Sequence, residues 1–337
     1  MTNYPAAETI RQLIQAANHI LIIQPDNPDG DSLGSSLALE QILTASNKDV
    51  VMMAGVAMPS YLKYISGYDR VETFYKKKFD LSLIVDTSSN SLLENVYKQI
   101  SPKALSSRPC IVLDHHDHNG GDDISFATVR LNVPTAAATA EVIYELAKQL
   151  DWTINLSAKK AIAAAILSDS LGLTADKTTA RTVHIIGELV EGGVSLSALE
   201  FARRDTLRKS PAIVKYKGRL LERIDYLLDN RLALLVIPWE EIEQYSPEYN
   251  PAMLALEDMR LTTDTLIAVV LKVYNDGKIT GKIRTNFGTP IAGQLAARMG
   301  GGGHDYASGF KLASADLATV RQSVINHTLE LLNDAHL

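Results

Sequence analysis

Pro109-Cys110-Ile111-Val112-Leu113-Asp114-His115-His116 decides the fold and the chemistry of this chain together. Pro109 to Leu113 is a short apolar run with the character of a buried strand, and it ends by delivering one carboxylate and two imidazoles to a sheet edge. A polar turn that happens to hold two histidines accounts for Asp114 to His116 taken alone, but the pattern recurs. Leu21-Ile22-Ile23 leads into Asp26, Asp29 and Asp31, Leu81 to Val85 leads into Asp86, and Ala164 to Leu167 leads into Ser168-Asp169. Unit charges about 4 Å apart at an effective dielectric of ~20 repel by roughly 4 kcal/mol per pair, so carboxylates converging in one cleft call for cations. Oxygen ligands mixed with imidazole, and no thiolate, suit Mn²⁺ or Mg²⁺ better than structural zinc, with the histidine favouring Mn²⁺.

Outward from this centre, His19 to Ile23, Val50 to Met53 and Ser82 to Val85 are strand-like runs separated by helical or irregular segments, the first of them preceded by helical spacing over residues 6–17. This alternation predicts an α/β fold with a mostly parallel sheet flanked by helices, in which ligands bind at the carboxyl ends of strands. Asp29, Asp86 and Asp114 all fall at such ends. Asp29-Gly30-Asp31 sets two carboxylates two residues apart, where extended backbone aims both to one side. Ser32 to about Thr44 is expected to be a helix whose N-terminal amides face the same cleft and favour an anion. A helix over Thr135–Gln149 is expected, with Thr135 as N-cap and Glu141 in its body. The alanine-rich helix Ala158–Leu167 runs into Asp169, and because a buried helix rarely ends on an unpaired aspartate, Asp169 is a candidate ligand.

The chain has 337 residues, 46% of them apolar and 21% charged, enough to bury a core in each of two domains. We expect a metal-binding catalytic domain over 1–195, a basic helical linker over 196–228 and a smaller substrate-binding α/β domain with a mixed sheet over 229–337. Between Phe201 and Arg223, the cations Arg203, Arg204, Arg208, Lys209, Lys215, Lys217, Arg219 and Arg223 are answered only by Asp205 and Glu222. That stretch is either a solvated linker or part of a groove for a polyanion. No run approaches 18 apolar residues and the start lacks a basic flank followed by an apolar segment, so a cytoplasmic protein without a membrane partner is expected. The single cysteine, Cys110, excludes an internal disulfide and a cysteine metal cluster. A net charge of −6 argues against a broad nucleic-acid-coating surface while leaving room for a local basic channel.

The second domain is expected to hold a strand at Leu232–Ile237, a hairpin of 265–274 and 278–285 turned by Asn275-Asp276-Gly277, a helix near Ile291–Arg298 and a closing amphipathic helix over Asp316–Leu332. Gly300-Gly301-Gly302-Gly303-His304 lies between the last two helices. Four consecutive glycines cost chain entropy on ordering, and persist where backbone must approach something closely.

Taken in order, Asp29-Gly30-Asp31, Asp86, Asp114-His115-His116 and Ser168-Asp169-Ser170 resemble the motifs of the DHH phosphoesterase superfamily, and Gly301-Gly302-Gly303-His304 with Gly309-Phe310 resembles the glycine-rich signature of its DHHA1 domain. The resemblance covers nearly the whole chain, and its compact length is similar to the nanoRNase (oligoribonuclease) and pAp-phosphatase branch rather than to the longer RecJ nucleases. It implies a two-Mn²⁺ site in which Asp86 bridges, Asp29 belongs to the first ion, and Asp31, His115 and Asp169 belong to the second, with Asp114 supporting them. It also implies that His116 contacts the scissile phosphate, and that Arg284, His304 and the amides of Gly302 and Gly303 hold the substrate's phosphate or nucleotide. The first motif departs from the branch: a histidine normally stands where this chain has Pro25, and the RecJ branch uses an aspartate where this chain has Asn27. Either Asn27 and Asp29 with water hold the first ion, or Asp26 turns inward.

The resemblance therefore implies a hydrolase for short RNA or DNA oligonucleotides, pNpN dinucleotides or pAp, working through a di-metal-activated water, with Asp86 and His116 as catalytic residues. Its rivals are a nucleotide-binding or sensor protein that retains one metal, a single-strand exonuclease and, less in keeping with the glycine-rich segment, a family II-like pyrophosphatase. A homodimer is left open.

Overall fold

Leu81-Ser82-Leu83-Ile84-Val85 carries no strict polar alternation because both faces of its strand are covered. Leu81, Leu83 and Val85 enter one apolar cluster, and Ile84 enters a second on the other side. The computed structural model describes residues 3–75, 77–117 and 122–335. Contacts divide the chain into two units, Met1–Arg208 and Lys209–Leu337.

In the first unit, β1 (His19–Ile23), β2 (Asp49–Met53), β3 (Leu81–Val85), β4 (Cys110–Asp114) and β5 (Val129–Asn132) form a sheet in the order β2-β1-β3-β4-β5, with every pair parallel. Helices cover both faces, as the sequence pattern requires of a parallel sheet. Chain connections diverge between β1 and β3, the switch point at which such sheets leave a crevice at their carboxyl ends. Asp29 follows β1, Asp86 follows β3 and Asp114 closes β4, so topology alone gathers three of the candidate carboxylates. β5 was not expected from the sequence, since Val129-Arg130-Leu131-Asn132 is too short to show a period.

The fourth carboxylate arrives by helix packing. Helix Gly30–Ala45 and helix Leu156–Asp169 lie antiparallel, with Gly30 against Ser168 and Gly34 against Ala161 and Ala165. A Cβ at Gly34 would stand 2.6 Å from the Ala161 carbonyl oxygen, and one at Gly30 would stand 2.2 Å from Ser168 Oγ. This contact brings Asp169, the last residue of its helix, to the start of the helix that carries Asp31. The helix expected from Thr135 starts instead at Thr139, with Ala138 extended (φ −160°, ψ 153°) at its N-cap.

In the second unit, β6 (Asp225–Leu227), β7 (Leu232–Ile237), β8 (Ile267–Val273), β9 (Ile279–Thr285), β10 (Gly302–Gly303) and β11 (Ala307–Leu312) form a mixed sheet in the order β10-β11-β9-β8-β7-β6. Only β7 and β8 pair in parallel. One face packs on helices Ala292–Arg298 and Leu317–Asp334, the other on helices Pro211–Glu222 and Pro251–Arg260. The basic stretch is shared out between the units, helix Leu196–Thr206 going to the first and helix Pro211–Glu222 to the second. Its charge is largely matched: Arg203 and Arg204 pair with Glu200, Arg208 with Asp205, Lys217 with Asp258 and Arg223 with Glu241. Among the described residues, no helix is long and apolar enough to cross a membrane.

The close helix contact sets two effects of opposite sign against each other at Gly34. Gly34→Ala gains up to about 1 kcal/mol of helix propensity but forces an overpacked contact worth ~1–3 kcal/mol, so its urea midpoint should fall. Gly187→Ala, in helix Ala180–Glu191 with nothing within 4 Å of the added carbon, should raise the midpoint in the same assay.

Candidate metal centre

The site is built from the backbone outward. Asp29 is the N-cap of helix Gly30–Ala45: its Oδ1 accepts the Asp31 and Ser32 amides at 3.0 Å each, and Ser32 Oγ accepts the Asp29 amide at 2.9 Å. The amides expected to await a phosphate are thus satisfied by Asp29 itself. Asp31, buried, reaches across to helix Thr139–Gln149, where Oδ2 accepts the Thr139 amide at 2.6 Å and Oδ1 the Ala140 amide at 3.1 Å. That helix has no capping side chain of its own, and the Asp31 carboxylate takes the role against its dipole.

Asp86 sits at the end of β3 with φ +61°, a left-handed conformation uncommon for a non-glycine residue. Its Oδ1 accepts the Thr139 hydroxyl at 3.0 Å, and its amide donates to the Leu113 carbonyl at 2.9 Å. Such backbone strain collects at sites where a side chain must be aimed.

His115 stands at the centre. Its ring Nδ1 lies 3.1 Å from the Ala136 carbonyl oxygen, which fixes the proton on Nδ1 and leaves the Nε2 lone pair facing inward. Nε2 is buried and has no hydrogen-bond partner among the described residues, yet it lies 3.2 Å from Asp169 Oδ2, 3.7 Å from Asp31 Oδ2 and 3.7 Å from Asp86 Oδ1. A lone pair aimed at three carboxylates is repulsive without something positive between them. Protonating His115 supplies one charge, whereas a divalent ion supplies two and also satisfies Nε2. Donor atoms of Asp31, His115 and Asp169 all lie within 4.8 Å of one another, as do those of Asp86, His115 and His116. The donor set therefore fits a hard or borderline divalent cation.

The electrostatics agree with crowding. Burial, then the charges of Asp31 and Asp29, push the Asp86 carboxyl well above the ordinary carboxylate range. Burial also raises Asp31, against the attraction of His115 and with the help of Asp29. Asp169 is pushed up to about 6, by burial first and by Asp31 second. Asp29 acts on all three neighbours through its charge while its Oδ1 is engaged as a cap.

Asp114 behaves differently. Burial works to raise it, but hydrogen bonds from His116 and Ser88 outweigh that and hold it below the usual range. Its Oδ1 accepts the His115 amide at 2.8 Å and meets His116 Nδ1 at 2.8 Å, and its Oδ2 accepts Ser88 Oγ at 2.7 Å. Asp114 thus locks the two histidines in place rather than joining the cluster. The half-exposed ring of His116, with Nδ1 3.8 Å from Asp86 Oδ1, is held with its pKa raised, first by the Asp114 bond.

Of the two open choices for the first motif, Asp26 does not turn inward: its Oδ2 accepts the Asn95 amide at 2.7 Å, and its Oδ1 packs at Gly55. Asn27 is exposed. Thr139, Ala136 and Ser88 were not singled out by sequence reading. Thr139 carried a signal, a hydroxyl residue opening a helical run, but Ala136 contributes a carbonyl and has none. Glu141 Oε2 holds this loop from behind, accepting the Ala137 amide at 3.2 Å and Thr182 Oγ1 at 2.9 Å.

In the second unit, Lys272, Lys282, Arg284, Lys311 and His304 line a groove of about 870 Å³ beside Gly300–Gly303, with no acidic residue among its lining. Burial, then Arg284 and Lys272, lower the Lys282 amine. The glycines serve the chain's own backbone: a Cβ at Gly301 would meet the Gly309 carbonyl oxygen at 2.2 Å, and Gly303 has φ +144°. Gly302 and Gly303 pair with Gly309 and Ser308.

The description "DHH family, N-terminal domain" matches residues 19–168. The bifunctional oligoribonuclease and PAP phosphatase NrnA of Thermus thermophilus is 24% identical over 92% of this chain and 89% of that protein. Its counterpart from Bacillus subtilis is 27% identical over 89% of this chain and 91% of that protein. The crystal structure of an exopolyphosphatase-related protein from Bacteroides fragilis superposes with a TM-score of 0.80 at 20% identity, covering 96% of this chain and 97% of that one, and shares the fold. Residues 19–168 thus resemble the N-terminal domain of the DHH family, and the likeness to the NrnA proteins extends over most of the chain.

Proposed function

We propose that this chain is a DHH-family hydrolase and that it cleaves phosphate esters of short nucleotides, oligoribonucleotides, pNpN dinucleotides or pAp, with Mn²⁺ as its working metal. The observation that carries the reading is His115 Nε2, buried amid oxygens of Asp31, Asp86 and Asp169 with no hydrogen-bond partner among the described residues. Asp31, His115 and Asp169 would hold one ion, Asp29 and Asn27 would serve a second, and Asp86 would serve both. When bound, such ions lower the pKa of a coordinated water and neutralise charge on the phosphoryl group.

The chain's own residues do the rest. Asp114 keeps a proton on His116 Nδ1 and raises the ring's pKa, so that the half-exposed ring can carry a second proton on Nε2 and donate it to a phosphate oxygen or leaving group. The Ala136 carbonyl and the Thr139 and Ala140 amides fix the imidazole and carboxylate so that little reorganises during turnover. The groove around Arg284, His304, Gly302 and Gly303 supplies the anion grip, because crowded cations with no acid among them are relieved by a phosphate.

The relatives named as oligoribonuclease and PAP phosphatase support the nucleotide class over a longer polymer.

Two outcomes test the reading. The purified chain with Mn²⁺ should release mononucleotide from pApA or phosphate from pAp, and Asp86→Asn should cut kcat by about 10²–10⁴-fold, the rate equivalent of several kcal/mol. No turnover on either substrate, or full turnover by the variant, sinks it, and release of long products from single-stranded RNA would favour an exonuclease. Arg284→Ala should raise KM by roughly 10- to 100-fold, for a charged hydrogen bond worth ~1.5–3 kcal/mol, while Mn²⁺ binding measured by calorimetry stays unchanged. Equal loss of metal binding would place Arg284 elsewhere in the chemistry.

A further inference from the structure

Phe287 is 96% exposed, more than the next most exposed large apolar side chains, Leu261 at 74% and Leu171 at 73%, and leaves nearly a whole aromatic ring in water. Scattered exposed apolar residues need no explanation, but this one is organised. Its ring lies nearly parallel to that of Tyr306, 11° between planes and 6.4 Å between centroids, so the two rings offer one direction of stacking. Both are tied to the anion groove by the backbone. Phe287 follows Arg284 by three residues, and Tyr306 follows His304 by two. The Thr285 amide donates to the Tyr306 carbonyl at 3.1 Å, and Thr285 Oγ1 to the Asp305 carbonyl at 3.3 Å. Gly288, at φ +87°, turns the chain immediately after Phe287 and projects that residue at the tip of a bend.

We propose that the open face of Phe287, backed by Tyr306, is a stacking platform for the base of the nucleotide whose phosphate the Arg284–His304 groove grips. The inference rests on the phosphate-binding reading of that groove. Three residues of chain span at most ~11 Å, so a ligand held at Arg284 by its phosphate has its base within reach of Phe287. Every base has a π-face, and stacking tolerates any of them, which gives binding that requires a base without selecting one. Hydrogen-bonding side chains that would read a base edge are not needed for this. The platform explains how a groove that recognises only charge would separate nucleotides from sugar phosphates and from inorganic phosphate or pyrophosphate.

The test compares AMP with ribose 5-phosphate, which differ in the base alone, by calorimetry on the full chain in Mn²⁺. Wild type should bind AMP more tightly. Phe287→Ala should weaken AMP by about 5- to 150-fold with ribose 5-phosphate unchanged, and Phe287→Trp should retain AMP binding and show quenching of its added indole fluorescence. Equal affinity of wild type for the two ligands, or equal weakening of both by Phe287→Ala, overturns the platform and leaves the phosphate groove standing. Failure of wild type to bind either ligand overturns the groove and the platform together.

Discussion

The structure turns on one unfavourable arrangement, the burial of Asp31, Asp86 and Asp169 around the lone pair of His115 Nε2. Each carboxylate is raised out of its normal range by loss of water and by its neighbours, so its charged form is disfavoured in the folded chain unless a cation stands among the three. Much of the first unit exists to make that tolerable. Parallel strands put Asp86 and Asp114 side by side, the Asp29 cap holds the first turn of its helix, and the uncapped helix at Thr139 lends two amides to Asp31. The remaining charge is what a divalent ion removes.

Packing carries the same burden as polarity. Asp169 reaches the cluster only because Gly30 and Gly34 let two helices approach within the space a methyl group would fill. Helix Gly30–Ala45 shows no amphipathic stripe, since it is covered by the sheet and its neighbours on nearly every side and buries Ser32, Ser35 and Ser36 along with its leucines. Small residues at that contact are therefore as much part of the site as the aspartates.

The second unit solves a different problem. Its groove concentrates cations where burial and mutual repulsion depress a lysine, the mirror image of the aspartate cluster. The two units thus crowd charge of opposite sign, carboxylates in one and cations in the other. The neighbouring basic stretch, which looked equally promising in one dimension, is spent on internal pairs with Glu200, Asp258 and Glu241. Net charge along a segment says little when its partners come from distant helices.

The sequence by itself determined the α/β alternation, the strand-end position of Asp29, Asp86 and Asp114, and the candidate role of Asp169, because apolar runs of strand length and the aspartates that end them are local signals. The hairpin at Asn275-Asp276-Gly277 and the closing helix were legible for the same reason. Only the tertiary structure decided that Asp29 caps its own helix, that Asp26 is bound to Asn95, and that the helix expected at Thr135 waits until Thr139. Those outcomes depend on backbone groups such as the Ala136 carbonyl and the Thr139 amide. Every residue type carries such groups, so no letter of the sequence marks where they will be used. The facing of Phe287 and Tyr306 is of the same kind: their separation of 19 positions is invisible as a pair until β9 and the His304 turn are laid side by side.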